Sequence, residues 1–368
     1  MIPPLQSVSK TNNIAILSLC GSPWFSVKLC VTILFFAFII LNPLITISQS
    51  LKPVMDYMRI DAKANDPLYT TYAAPMSRSR LYGDKAYKLD YYSDCSPITY
   101  SSDHAGSMFC IWKFDEVVVN TISDYLVKPV VRYSFPDMVI LEYQPFRGIT
   151  VTETFIVHSS TIAIVDMQVR NTDKIPHEVT AYPVLELEND SLNISRYDKI
   201  HSGYITDRYE SPYRLISSLK TEYGYPTKTR DFFTANQKIN SFGGYTGSQS
   251  DFFNVIKTDF YSDKRGDSLN MKQDGLVSFI AIQLKKRLKP GESVNFRYLR
   301  GVQSRDENLD SLMNETDRLK SNLLKSYFDD NIFLFSKIPL IKFKSEDEKL
   351  AYIGAFNLAR GCMDPGSG

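Results

Sequence analysis

Between Asp115 and Leu187 the chain alternates apolar and polar residues with a period of two, in segments rich in β-branched and aromatic types. VVVNTI, MVILEY, ITVTETFIV and TIAIVDMQV read as strands, and Phe135-Pro136-Asp137 and Phe146-Arg147-Gly148 punctuate them as turns. In ITVTETFIV, Ile149, Val151, Glu153, Phe155 and Val157 share one face, and Thr150, Thr152, Thr154 and Ile156 the other. Asn171-Thr172-Asp173-Lys174 predicts a tight hairpin into HEVTAYPVLEL. So dense a meander is an antiparallel sheet that must bury a face, and a second sheet is the natural partner. The stretch Asn189–Asp274 is polar and lacks a strong period, which predicts either loops over a sandwich or strands with long excursions. Strands return at LVSFIAIQLKKRL. A Lys289-Pro290-Gly291-Glu292 turn then predicts a second hairpin, with SVNFRYLRGV.

At Ser304 the period changes. Leu309, Leu312, Met313, Thr316, Leu319, Leu323 and Leu324 recur at helical spacing, with Asp306, Glu307 and Asp310 at the front, where unpaired amides favour negative charge. A short apolar run, Ile332–Ile341, is broken by Pro339. Ser345 and Glu348 form a capping box for another helix, whose apolar side carries Leu350, Ile353, Ala355, Phe356 and Leu358. The pattern predicts a mainly β chain: residues 51–303 a large antiparallel β-sandwich, 304–344 a linker helix and connection, and 345–368 the opening of a helical domain. A lone amphipathic helix needs a partner for its apolar face. It reads as the first helix of a domain cut short at Gly368, with a tail packed back on the sheet as the alternative.

Residues 1–50 form a leader. The apolar run Val31–Leu41 follows Lys28 and ends at Asn42-Pro43, where proline stops the helix, and Ser48-Gln49-Ser50 supplies a small-x-small cleavage pattern. The run also approaches the ~20 residues that span a bilayer, so residues 29–48 read as a cleaved signal or as a membrane anchor. Both predict export to the periplasm or the exterior.

Composition narrows the function. Lys plus Arg number 42 and Asp plus Glu 41, so no net field favours nucleic acid, and membrane contact is expected only through the leader. The 5 Cys and 4 His have no metal spacing, and neither a metal nor another cofactor is expected. In an oxidising compartment Cys95 and Cys110 form either a disulfide or two free thiols.

The order of elements (an exported sandwich, an LKPGES turn, a linker helix beginning RDENLDSL, a helix at EDEKLAYIGAFNLAR) resembles the N-terminal portion of the six-hairpin glycosidases. These are glucoamylase-like hydrolases and the cellobiose- and maltose-phosphorylase-like enzymes. The resemblance implies a sandwich before an (α/α)6 barrel that carries the catalytic carboxylates, so none is assigned on this sequence and they are expected beyond Gly368. An oligo- or polysaccharide is the implied partner. A stand-alone exported glycan-binding or structural sandwich is the alternative, as is a membrane-anchored structural protein if the leader stays uncleaved.

Within the chain, Glu186 and Glu188 share a strand face near Asp190, but a pair of sugar-cleaving acids must face each other across a substrate, and a solvated strand end accounts for them. Phe242-Gly243-Gly244 lacks the helix and lysine of a phosphate cradle. Ser107 lacks a nucleophile-elbow frame, and His104, His158, His177 and His201 are scattered. The candidate sugar contacts are Asp103, His104 and Trp112, in and beside a small polar loop, with a core aromatic as the ordinary reading of Trp112. A tyrosine cluster (Tyr197, Tyr204, Tyr209, Tyr213, Tyr223, Tyr225) is a second candidate, with loop packing as its ordinary explanation.

Overall fold

The computed structural model describes residues 51–79, 86–102, 106–187, 191–210, 228–257, 271–272, 275–322 and 324–361. The leader lies outside them, as do Asp103, His104, Glu188, Asp190, Tyr213, Tyr223, Tyr225 and Cys362. Among the described residues no helix is long and apolar enough to cross a membrane.

Helix α1 (Leu51–Met58) leads into β1 (Thr71–Tyr72), β2 (Tyr87–Asp90), β3 (Thr99–Ser102), β4 (Gly106–Phe114) and β5 (Val117–Val119). The predicted meander follows as β6 (Val127–Phe135), β7 (Met138–Phe146), β8 (Ile149–Ser159) and β9 (Ile162–Asn171), then β10 (His177–Glu186). The irregular stretch holds strands with excursions: β11 (Ser191–Asp198), β12 (Gly203–Glu210), β13 (Lys228–Ala235) and β14 (Ser241–Tyr245). Helix α2 (Gln249–Lys257) and the short β15 (Met271–Lys272) and β16 (Gly275–Leu276) complete it. Strands β17 (Phe279–Leu288) and β18 (Ser293–Ser304) precede helices α3 (Leu309–Leu319), α4 (Lys325–Phe335) and α5 (Glu346–Gly361).

The strands form two antiparallel sheets, as the alternation predicts. One runs β1-β2-β3-β4-β10-β17-β14-β15 with β5 on β4, and the other β16-β11-β12-β13-β18-β9-β8-β7-β6. Their inner faces meet through large side chains. Tyr100 of β3 stacks on Phe155 of β8 at 4.1 Å, and Phe114 of β4 on Phe146 of β7 at 5.3 Å. The opposite face of β4 carries Phe109 and Ile111, which pack with Phe252 and Ile256 of α2, so the first sheet is covered on both sides there. Helices α3, α4 and α5 cover the other sheet. Phe135 meets Phe328 and Phe335, and Asn357 donates to the Ser134 carbonyl at 3.0 Å.

Both expected hairpins are instead arches between the sheets. Strand β9 pairs with β8 and β18 while β10 pairs with β4 and β17, and β18 likewise leaves β17 for β13 and β9. The two turns stack and bond to each other. Asn171 N donates to the Glu292 carbonyl and Gly291 N to the Asn171 carbonyl, each at 2.9 Å. The Asn171 amide also donates to the Leu288 and Ile175 carbonyls, and Gly291 takes a φ of 77° that suits glycine. The sequence clue was in the strands: β10 is buried at nearly every position, the mark of a central strand covered on both faces rather than half of a one-sided hairpin.

The single expected linker helix is also divided. The helix ends at Leu319 because Arg297 reaches up from β18 to take the Leu319, Lys320 and Asn322 carbonyls while its Nε pairs with Asp166 at 2.5 Å. With its terminal carbonyls held by a side chain the helix has no reason to continue. The predicted cap of α5 is present, with Ser345 Oγ accepting from Glu348 N and the Glu348 carboxylate from Lys344 N.

Candidate functional site

A pocket of about 350 Å³ opens where the β6–β7 turn, the end of β8, helices α4 and α5, and a short 3-10 turn at Met76–Arg78 come together. The tight Phe135-Pro136-Asp137 turn sets Asp137 at its floor, nearly fully buried. Helical spacing puts Tyr327, Asn331 and Leu334 of α4 on one wall, and the last turn of α5 delivers Arg360 opposite.

Both oxygens of Asp137 are taken. Oδ2 accepts from Arg78 Nη2 at 2.6 Å and Oδ1 from the Asn331 amide at 2.8 Å. Arg360 Nη1 donates to Asn331 Oδ1 at 3.0 Å, so a chain of groups runs Arg78–Asp137–Asn331–Arg360. Arg78 lies over the Tyr327 ring at 4.9 Å and Arg360 over Phe335 at 5.5 Å. Arg78 Nη1 is buried without a hydrogen-bond partner among the described residues. His158 joins its Nδ1 to the Tyr327 hydroxyl at 2.6 Å and its Nε2 to Glu315 at 3.3 Å. Asp330 stands exposed at the mouth.

Burial dominates the electrostatics. It lowers the Arg360 pKa, the Asp137 charge working against that shift and the neighbouring Arg78 with it. Burial likewise lowers His158, partly offset by Glu315, and raises Tyr327. The pocket therefore presents N–H donors and cationic edges to a half-enclosed space, an arrangement that can hold a polar ligand.

Of the residues singled out from the sequence, His158 lines this pocket, and the other described ones lie elsewhere. Trp112 is fully buried between the sheets with its ring stacked against Phe114, so in this structure it is a core residue that no sugar reaches. Its place on β4 demands this, because its face of the strand points at the second sheet. Cys95 and Cys110 make no disulfide: Cys95 is exposed, whereas Cys110 faces the core, where burial and nearby Glu153 raise its thiol pKa. Glu186 ends β10 and accepts from Gln249 of α2 at 3.3 Å, and burial raises its pKa. Tyr197 stacks on Phe242 at 3.6 Å with Tyr204 edge-on, which is ordinary packing. The glycines after Phe242 lie in β14, and Ser107 donates to Ser101. His177 sits between Asp115 and Asp173, and His201 binds Asp317 of α3. Among the described residues no cluster of three or more His, Cys, Asp or Glu could hold a metal.

Two buried charge clusters complete the picture. Asp231 is fully enclosed between Arg300 (2.7 Å) and Arg208 (2.6 Å), which ties β12, β13 and β18 together inside the sandwich. Glu153 accepts from Tyr100 at 2.7 Å across the sheets and from Tyr143 at 2.6 Å. Both are sealed from solvent. The pocket residues were missed in the sequence because Arg78, Asp137, His158, Asn331 and Arg360 come from five separate segments. Only the Asp137 turn and the Tyr327/Asn331 spacing left a local trace.

No protein-family model matches the sequence, and no curated protein is similar to it. Among solved structures, the chain is similar to a family GH92 inverting mannosidase from Bacteroides thetaiotaomicron, with 9% identity over 82% of this chain and 39% of that one, at a TM-score of 0.44. A human-microbiome protein assigned as a kojibiose phosphorylase gives 6% identity over 84% and 40%, also at 0.44. A GH92 α-mannosidase from Bacteroides thetaiotaomicron gives 10% over 82% and 40%, at 0.44. The chain thus spans about two fifths of the length of these proteins.

Proposed function

We propose that this chain is the sandwich portion of an exported carbohydrate-active enzyme of glycoside hydrolase or phosphorylase type, acting beside a helical domain that bears the catalytic carboxylates. The observation that carries the reading is the succession along one face. Helices α3, α4 and α5 lie in order on the outer side of the second sheet, the arrangement in which a sandwich leads into, and shapes the cleft of, a helical neighbour. The acids described on the sandwich support it, since each has a local task. Glu153 and Asp231 are sealed in the interior, Asp137 is held by Arg78 and Asn331, and Glu186 by Gln249.

The product of the complete reading frame, incubated with oligosaccharides with and without inorganic phosphate, is expected to release free sugar or sugar phosphate. Residues 51–368 alone should release neither. Turnover by residues 51–368 alone would place the chemistry on the sandwich and overturn the reading. Export belongs to the same proposal and rests on the apolar run before Pro43. Intact-mass analysis of the mature protein should find a start at or near Leu51, and a mature protein still carrying residues 1–50 removes the cleaved-signal form.

A further inference from the structure

We propose that the pocket between the β6–β7 turn, α4 and α5 binds an oxyanion (a phosphate, sulfate or carboxylate group), with Arg360 and Arg78 as its cationic contacts. The charges in the pocket are unbalanced. Two guanidinium groups reach into one half-buried space, and the carboxylate between them is already committed, one oxygen to Arg78 and the other to Asn331. Arg360 has a neutral amide oxygen and an aromatic face for company, and no ion pair among the described residues. The one nearby counter-charge that acts on it, Asp137, is shared with Arg78 and does not offset the burial of Arg360, and an incoming anion supplies what is missing. Planar guanidinium edges match two oxygens of a carboxylate or phosphate at once. The buried Arg78 Nη1 is a further donor that no described residue uses.

Other charges facing the site modulate this without cancelling it. Asp330 stands in water at the mouth, where its field is screened, and Glu315 lies beyond His158 on that ring's far nitrogen. His158 adds a positive charge when protonated, so binding should tighten towards acid pH. The volume, about 350 Å³, admits a free anion or the charged end of an acidic sugar. Such an anion pocket can exist whether or not the chain acts on glycans.

The test is isothermal titration of residues 51–368 with phosphate, sulfate and glucuronate, against chloride at matched ionic strength. Saturable one-to-one binding of at least one is expected. Phosphate or sulfate alone identifies a free inorganic ligand, and glucuronate alone an acidic sugar. Arg360→Gln, which keeps a hydrogen bond to Asn331, should weaken binding about tenfold or more. Asp137→Asn, which removes the competing carboxylate, should strengthen it. Should either variant fold poorly, modification of the native protein by phenylglyoxal gives an independent readout, with Arg360 protected by saturating anion. No saturable binding, or binding that Arg360→Gln leaves unchanged, overturns the proposal.

Discussion

Glu153 is a carboxylate that the sandwich keeps out of water, its charge answered among the described residues by the Tyr100 and Tyr143 hydroxyls. Burial raises its pKa, outweighing both hydrogen bonds. A raised acid contributes stability that is complete below its unfolded value and lost as pH rises through the native one. Glu153→Gln, which copies the protonated form, should therefore raise the melting temperature by ~2 °C or more at pH 8. The gain should vanish at pH 4, and an equal shift at both pH values would mean that charge is not the cause. The cysteines make a second case at this scale. Native protein treated with a thiol reagent should be labelled at Cys95 and not at Cys110 until denatured. Peptide mass mapping reads this directly, and labelling of Cys110 in the folded protein would contradict its burial. Neither Glu153 nor Trp112 could be placed from the sequence alone. The alternation assigns each to a face, but only the packing of the two sheets says which face is the interior.

At the scale of elements the strands were legible where one face is apolar, as in ITVTETFIV, whose Val151, Glu153 and Phe155 face did prove to be the inner one. The connections were not. A short polar turn looks the same whether it joins two strands of one sheet or carries the chain across to the other. The split between α3 and α4 was equally hidden, because Arg297, which ends α3, belongs to a strand. Helix α3 approaches β18 so closely that a β-carbon on Gly301 would sit 2.9 Å from the Leu312 side chain. Gly301→Ala should cost about 1–3 kcal/mol through overpacking, measured by urea unfolding. His158 binds α4 through Tyr327 and α3 through Glu315, and burial lowers its pKa. A depressed base contributes stability above its unfolded value of 6.5, and loses it as pH falls through the native value. Hydrogen-exchange protection factors along Lys325–Phe335, corrected for the intrinsic pH dependence of exchange, should fall as the pH drops below 6.5 in the native protein. In His158→Gln the protection factors should not change across that range.

The whole molecule reads as two sheets that depend on outside cover. Leu312, Met313, Leu319, Ile332, Phe335, Leu350 and Ile353 of the three helices are all buried, and the helices meet the second sheet at Gly301, Phe135 and Ser134. A chain ending at Ser304 would expose the opposing apolar surface, and should aggregate while residues 51–361 remain monodisperse in light scattering. The class of fold was legible because it depends on many strands at once. The pocket was not, because it depends on a few residues gathered from distant segments.

The stacked arches also set an order of assembly. The strands on either side of β18 (β9 and β13) and of β17 (β10 and β14) are synthesised first, and each half-sheet waits with an open edge. The last pair of strands to leave the ribosome enters the middle of both sheets, like a keystone set from above. The first sheet cannot close before Leu288 has emerged, nor the second before Ser304. The fold would then lock in a single late step.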